Sequence, residues 1–317
     1  MAKTEILLES GTNELEVAEF YMGKQSYGIN VAKIREIVLY MASNVTFLIG
    51  EPPGVLGTII FRGHAVPLID LHKILNLPPA SEGTRQVILI SEFNQSINAF
   101  LVDGVSRIHR ISWADFTPMH PILTHHSSFI TGSFHIEKRE ILILDFECII
   151  NDIFPGSAMS DAPSAISKGD GSDRRANANL LIVEDSKVIQ TKIINKLTAS
   201  GFKHVNVAAN GEEALKIVHS FQQKGAAQNK KLIDVLDVIV SDIEMPIMDG
   251  LTFCRNIKSN AETSGVPIIM FSSMINDEMA RKCTQVGADH CLAKPELDDL
   301  IGLIDQEMGK GSASVAK

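Results

Sequence analysis

Four apolar runs in the second half of the chain each end in a residue able to do chemistry, and this recurrence constrains the fold more than any other feature. Glu184-Asp185 follow Leu180–Val183, and Asp242 follows Asp237–Ser241. Ser272 follows Val266–Phe271, and Lys294-Pro295 follow His290–Ala293. Short runs rich in Val, Ile and Leu read as strands buried on both faces of a parallel sheet. Ligands of such open sheets bind at the carboxyl ends of the strands. The pattern therefore predicts that three carboxylates, a hydroxyl and a lysine converge on one crevice, suited to a divalent cation and a phosphoryl group.

Helical periods separate these runs. Ile189, Ile193 and Leu197 recur at every fourth position until Gly201. Asn210-Gly211 opens a helix with Ala214, Leu215 and Val218, and another begins at Leu251 after Met248-Asp249-Gly250. Met279, Cys283 and Val286 mark a fourth helix; Leu297, Leu300, Ile301 and Ile304 mark a fifth. With a short strand at Val205–Val207, five strands alternate with five helices. That predicts an α/β domain over 180–308 with a five-stranded parallel sheet.

The first half has another texture. Its apolar runs are short: Ala18–Met22, Tyr27–Val31, Val66–Leu71, Gln86–Ile90, Ile97–Val102, Phe129–Phe134 and Glu140–Leu144. Turns such as Pro52-Pro53-Gly54, Arg62-Gly63 and Pro78-Pro79 punctuate them. Helical periodicity is nearly absent, so residues 13–154 predict an all-β domain of small antiparallel barrels. Between the halves, residues 155–179 are small, polar and charged, the composition of a flexible linker. Residues 309–317 read as a disordered tail.

Charge and composition narrow the class. A net charge of −9 argues against nucleic-acid partners. No run of eighteen apolar residues occurs, so direct membrane insertion is not expected. Cys148, Cys254, Cys283 and Cys291 form no Cys-x-x-Cys pair, which fits a reducing cytoplasm better than a disulfide framework or zinc site. His109, His120, His125, His126 and His135 lack the spacing of a metal site and read as loop or surface residues.

Within the predicted crevice, Asp242 is the candidate phosphoryl acceptor, in the nucleophilic role that carboxylates take in aspartyl-phosphate chemistry. Glu184, Asp185 and Asp242 would hold Mg²⁺, a hard cation that prefers oxygen ligands, with the Glu244 backbone carbonyl as a further ligand. Lys294 offers a point charge to a phosphoryl oxygen and Ser272 a hydroxyl donor. Pro295 raises the expectation of a cis peptide that aims the lysine.

These residues, in the order Leu-Ile-Val-Glu184-Asp185-Ser186, Asp242-Ile-Glu-Met-Pro246-Ile-Met-Asp249-Gly250, Ser272-Ser273 and Lys294-Pro295, resemble the receiver domain of bacterial response regulators. The resemblance implies a flavodoxin-like fold and Mg²⁺-dependent phosphotransfer from a histidine kinase to Asp242. Two positions depart from the receiver pattern. Cys291 stands where an aromatic usually precedes the lysine by three residues, and Ser273 where a small alanine is common.

The first half is similar to the CheW-type coupling domain of chemotaxis. The segments that carry the likeness are Glu19–Gly23, Tyr27–Val31, Val55–Gly63, Val66–Leu71 and Leu101–Val105. The resemblance implies two intertwined five-stranded SH3-like barrels that bind the histidine kinase CheA and methyl-accepting chemoreceptors. Arg62 is the position carried over from it, as a clamp between the barrels or a partner contact; Phe61 replaces the leucine usual before Arg-Gly. Val38, Leu39 and Met41 are candidate apolar anchors or core residues.

A coupling domain followed by a receiver resembles the arrangement of the CheV family. The expectation is therefore a cytoplasmic, non-enzymatic adaptor recruited to chemoreceptor arrays and regulated by phosphorylation of Asp242. The alternative is a receptor-localised phosphate sink draining CheA. A transcriptional regulator is disfavoured by the acidic balance and the absence of a helix-turn-helix pattern.

Overall fold

The computed structural model describes residues 12–94, 96–120, 129–136, 139–154, 172–294 and 296–313. Two compact units divide the chain: Leu15–Ala158, and Met159–Lys317 together with Met1–Glu14.

The first unit is β-rich. Its strands are β1 (Glu14–Met22), β2 (Gln25–Asn30), β3 (Ile34–Leu39), β4 (Val55–Phe61), β5 (His64–Asp70), β6 (Val87–Phe93), β7 (Ser96–Val102), β8 (Gly104–Ser112), β9 (Thr117–Pro118), β10 (Ile130–Ile136) and β11 (Arg139–Leu144). They form a six-stranded sheet in the order β8-β1-β2-β11-β10-β9 and a five-stranded sheet in the order β3-β6-β7-β5-β4. The pairings of β2 with β11 and of β5 with β7 are parallel, so the expectation of antiparallel barrels needs correcting. A hairpin forces its strands antiparallel, but these partners are separated by intervening strands and no tight turn dictates their direction. The sixth strand of the larger sheet, β9, is a two-residue edge on β10.

Among the described residues, two short helices belong to this unit, α1 (Leu71–Ile74) and α2 (Phe146–Ile153). The second was not anticipated, yet its sequence explains it. The Asp145 side chain accepts from the Glu147 and Cys148 amides at 3.0 Å, satisfying donors that a helix start leaves open. Phe146, Ile149, Ile150 and Ile153 then fall on one buried face. Phe146 is fully buried, its ring 4.0 Å from that of Phe100 and 6.1 Å from that of Phe20 by centroids.

The second unit contains α3 (Ser172–Asn177), β12 (Asn179–Val183), α4 (Lys187–Ala199), β13 (His204–Ala208), α5 (Gly211–Ala227), β14 (Val238–Ser241), α6 (Gly250–Ser259), β15 (Ile268–Ser272), α7 (Asp277–Gln285), β16 (His290–Ala293) and α8 (Leu297–Ala313). All neighbouring strands pair in parallel, in the order β13-β12-β14-β15-β16. Every residue of β14 and β15 is buried, as a sheet covered on both faces requires. One apolar cluster joins Leu181, Ile239 and Ile268 to α5, α6 and α7; the other joins Leu180, Val238 and Ile269 to α4 and α8.

The helix α3 lies inside the segment read as linker. It has no apolar period, and polar contacts hold it instead. Arg175 pairs with the Asp305 carboxylate and donates to the Ser200 carbonyl at 2.9 Å. At the other end, α8 continues past Gly309 into the segment read as a disordered tail.

The Phe146→Ala variant should lose about 3–5 kcal/mol of stability in the first unit, the usual cost of deleting a buried aromatic. The chain has one tryptophan, Trp113, which is buried in this unit, so its fluorescence during urea unfolding reports the loss. A change below about 1 kcal/mol would show that α2 does not anchor this core.

Candidate phosphoryl site

Sheet topology creates the crevice. From β12 the chain crosses to β13 on one side and then returns to β14 on the other. Strand order reverses there, which leaves a gap at the carboxyl ends that neither connection fills. Glu184 and Asp185 follow β12, Asp242 follows β14, Ser272 ends β15 and Lys294 follows β16. All five of these predicted residues are brought to this edge.

Their geometry is tight. Lys294 Nζ lies 2.7 Å from Asp242 Oδ2 and 3.0 Å from Glu184 Oε2. One oxygen each from Glu184, Asp185 and Asp242 falls within 4.8 Å of the others. Glu184, Asp242, Ser272 and Lys294 are buried, and Asp185 is half-buried. The Ile243 amide donates to Asp242 Oδ1 at 2.6 Å, and the Ser186 amide to Glu184 Oε1 at 3.2 Å. Burial pushes the Glu184 carboxyl well above its ordinary 4.5, and the charges of Asp242 and Asp185 push the same way against the pull of Lys294. The donor set is all hard oxygen, and Lys294 contacts the Glu184 and Asp242 carboxylates. Such a cluster is chemically suited to a small divalent cation.

The supporting shell is built from the loop after Asp242. Asp249 caps α6 by accepting from the Thr252 amide at 2.7 Å and its hydroxyl at 2.9 Å. That cap places Gly250 against the Asp242 backbone: a Cβ at this position would sit 1.8 Å from the Asp242 carbonyl oxygen. Ile247, in the same loop, has φ of 69°, a conformation that costs a β-branched residue energy. Glu244 is half-buried on this loop, and Ser272 Oγ accepts from the Met274 amide at 3.5 Å. Pro295 and its peptide bond lie outside the described residues.

Arg62 does not join this cluster. It occupies the exposed turn between β4 and β5, also at positive φ (49°), with its guanidinium 5.0 Å above the Phe61 ring. Its Nη2 donates to Glu36 on β3 at 3.3 Å, an exposed pair worth little in stability. Beside it, Val38, Leu39 and Met41 line a groove of about 460 Å³ with Ile59, Ile60 and Phe61. Leu39 is 57% exposed, Met41 55% and Ile60 70%, so this face of the unit is an apolar surface.

Two families of known domains match the chain in this order: the CheW-like domain over residues 16–154 and the response regulator receiver domain over residues 180–305. Chemotaxis protein CheV3 of Helicobacter pylori is 30% identical, over 95% of this chain and 96% of its own length. The chain belongs to the CheV family of chemotaxis proteins. CheV1 of the same organism is 26% identical over 93% of each chain. Among solved structures, the scaffolding protein TtCheW of Thermoanaerobacter tengcongensis is 23% identical, with a TM-score of 0.38; the match covers 41% of this chain and 88% of that one.

Some residues of this CheV-family site carried no signal in the sequence. Gln190, one turn into α4, is buried and donates to the Glu184 carbonyl at 3.3 Å. The Ile243 amide is a backbone group, which side-chain motifs do not report. In the CheW-like unit, His109 is neither loop nor surface: it is buried on β8 and meets the buried Glu19 at 2.8 Å. Glu19 also accepts from Ser26 and Arg139, at 2.8 and 2.7 Å. A carboxylate at that depth requires such partners.

Two outcomes follow from this geometry. Gly250→Ala must displace the Asp242 backbone, so it should lower the melting temperature of the receiver unit and disorder the loop after Asp242; an unchanged amide spectrum around Asp242 would contradict the close approach. Glu184 binds its proton more tightly folded than unfolded. Its contribution to metal-free stability should therefore be fully present below about 4.5 and decline as pH rises through the raised value. Glu184→Gln should flatten that slope in melts with chelator, and a slope that survives the substitution would assign it to another group.

Proposed function

We propose that this CheV-family protein is an adaptor that couples chemoreceptors to the histidine kinase CheA, and that Mg²⁺-dependent phosphorylation of Asp242 regulates the coupling. The observation that carries this reading is the Lys294 ammonium held between Asp242 and Glu184 in a buried cluster of carboxylates.

Glu184, Asp185 and Asp242 would hold Mg²⁺, with the Glu244 carbonyl as a further ligand; the ion would neutralise charge on the transferring group. An Asp242 carboxylate oxygen attacks phosphorus and displaces the histidine nitrogen of the kinase, forming an acyl phosphate. Lys294 then pairs with a phosphoryl oxygen, and Ser272 offers its hydroxyl to another. Lys294 already contacts the reacting carboxylate, so little reorganisation precedes the step.

The output belongs to the CheW-like unit, which acts by binding rather than by catalysis. Its exposed groove at Leu39, Met41 and Ile60 supports apolar contact with partner proteins, with Arg62 at its rim. The protein would work in the cytoplasm beside receptor arrays. Among the described residues no helix is long and apolar enough to cross a membrane.

The test is phosphotransfer from labelled CheA in Mg²⁺. Wild type should take up label, and Asp242→Asn should reduce it to background. Lys294→Ala should slow transfer roughly 10- to 150-fold, the equivalent of a charge-assisted hydrogen bond of about 1.5–3 kcal/mol. Label retained by Asp242→Asn would refute the assignment of the acceptor. Uptake at Asp242 that leaves receptor-coupled kinase output unchanged would instead make the receiver a phosphate sink.

A further inference from the structure

Asn13 precedes the CheW-like unit in sequence, yet it packs with the receiver unit. There it bonds to the loop that leads from Asp242 into α6. Its side-chain amide donates to the Ile247 carbonyl at 2.8 Å and accepts from the Asp249 amide at 3.0 Å. Its own backbone N–H donates to Thr252 Oγ1 at 2.9 Å, and that hydroxyl donates to Asp249 Oδ2 at 2.9 Å. A donor and an acceptor held side by side thus bridge a carbonyl and an amide two residues apart, as a neighbouring peptide group does in a sheet. Asn13 itself has φ of 58°, a left-handed conformation that Asn adopts more readily than other non-glycine residues.

The loop depends on such partners. Ile247 stands at φ of 69°, unfavourable for a β-branched residue, so contacts rather than intrinsic preference hold it there. Met248 is held by the Gly211 amide, which donates to its carbonyl at 3.0 Å. Asn13 takes the residues before and after it. From Asp249 the path to Asp242 is short. The next amide, that of Gly250, donates to the Ile243 carbonyl at 2.9 Å, and the Ile243 amide donates to Asp242 Oδ1 at 2.6 Å.

We propose that Asn13 is a positioning residue for the phosphorylation of Asp242. It fixes the loop whose Ile243 amide orients the reacting carboxylate and whose Glu244 carbonyl would face the metal. Asn13 touches no reacting atom; it acts through Asp249, Gly250 and Ile243. The inference rests on the phosphoryl reading of this site and adds to it a residue 236 positions from Asp249 in sequence.

The experiment follows phosphorylation of the full-length chain by phosphoramidate in Mg²⁺, read by intact mass well below the melting temperature. This donor carries the P–N bond of a phosphohistidine and needs no kinase docking. An Asp242 oxygen attacks phosphorus, the P–N bond breaks, and the nitrogen, already protonated in the donor, leaves as ammonia. At saturating donor and metal, Asn13→Ala should lower the rate constant about 3- to 10-fold, the scale of one lost neutral hydrogen bond. The donor concentration at half-maximal rate should stay unchanged. Asn13→Gly keeps the N–H donor and suits the left-handed backbone, but it too lacks the side-chain amide, so it should be as slow. Deuterium exchange at the Asp249 amide should quicken in both variants. A wild-type rate in Asn13→Ala, or its recovery in Asn13→Gly, would overturn this proposal alone. A wild-type chain that takes up no phosphoryl group would overturn the phosphoryl reading, and this inference with it.

Discussion

One buried cluster of charge organises the receiver unit. Glu184, Asp185 and Asp242 converge within 4.8 Å, and the Lys294 ammonium reaches Glu184 and Asp242. Burying charge is costly unless it is paired, and these contacts pair it. The rest of the unit tolerates the cost because its sheet, covered on both faces, fixes every member at a strand end.

The CheW-like unit also satisfies its buried charge locally. Glu19 is surrounded by Ser26, His109 and Arg139. Asp103, also buried, accepts from the Gly23 amide at 2.7 Å and from Gln86 at 3.3 Å, and meets His72 at 3.0 Å. These contacts join β1, β2, β8 and β11 around Glu19, and the β1–β2 turn, α1 and the end of β7 around Asp103. Fully partnered networks of this kind specify a single packing. The same unit leaves Leu39, Met41 and Ile60 exposed on one face.

The receiver was legible in the sequence because its chemistry coincides with its punctuation. A buried parallel strand is an unbroken apolar run, so the first polar residue after it marks both the strand end and the ligand edge. Glu184, Asp242, Ser272 and Lys294 were readable for that reason. The β-rich unit was less legible. The parallel pairing of β2 with β11 depends on contacts more than a hundred residues apart in sequence, which local alternation does not encode. β3 and β8 escaped because they are largely exposed, and charged residues interrupt their apolar pattern. α2 was hidden by its shortness, and α3 because ionic contacts, not an apolar face, hold it. His109 misled because a histidine's partner, here Glu19 ninety residues away, is a matter of topology.

We propose that the carboxylate cluster takes up a divalent cation beside Asp242. Calorimetric titration of the full-length chain with Mg²⁺, in two buffers of different ionisation enthalpy, tests it most directly. The account predicts one ion per chain, affinity that strengthens as pH rises above about 4.5, and proton release in the range where Glu184 is still protonated. Binding that is absent, or that is indifferent both to pH and to Asp185→Asn, would contradict it.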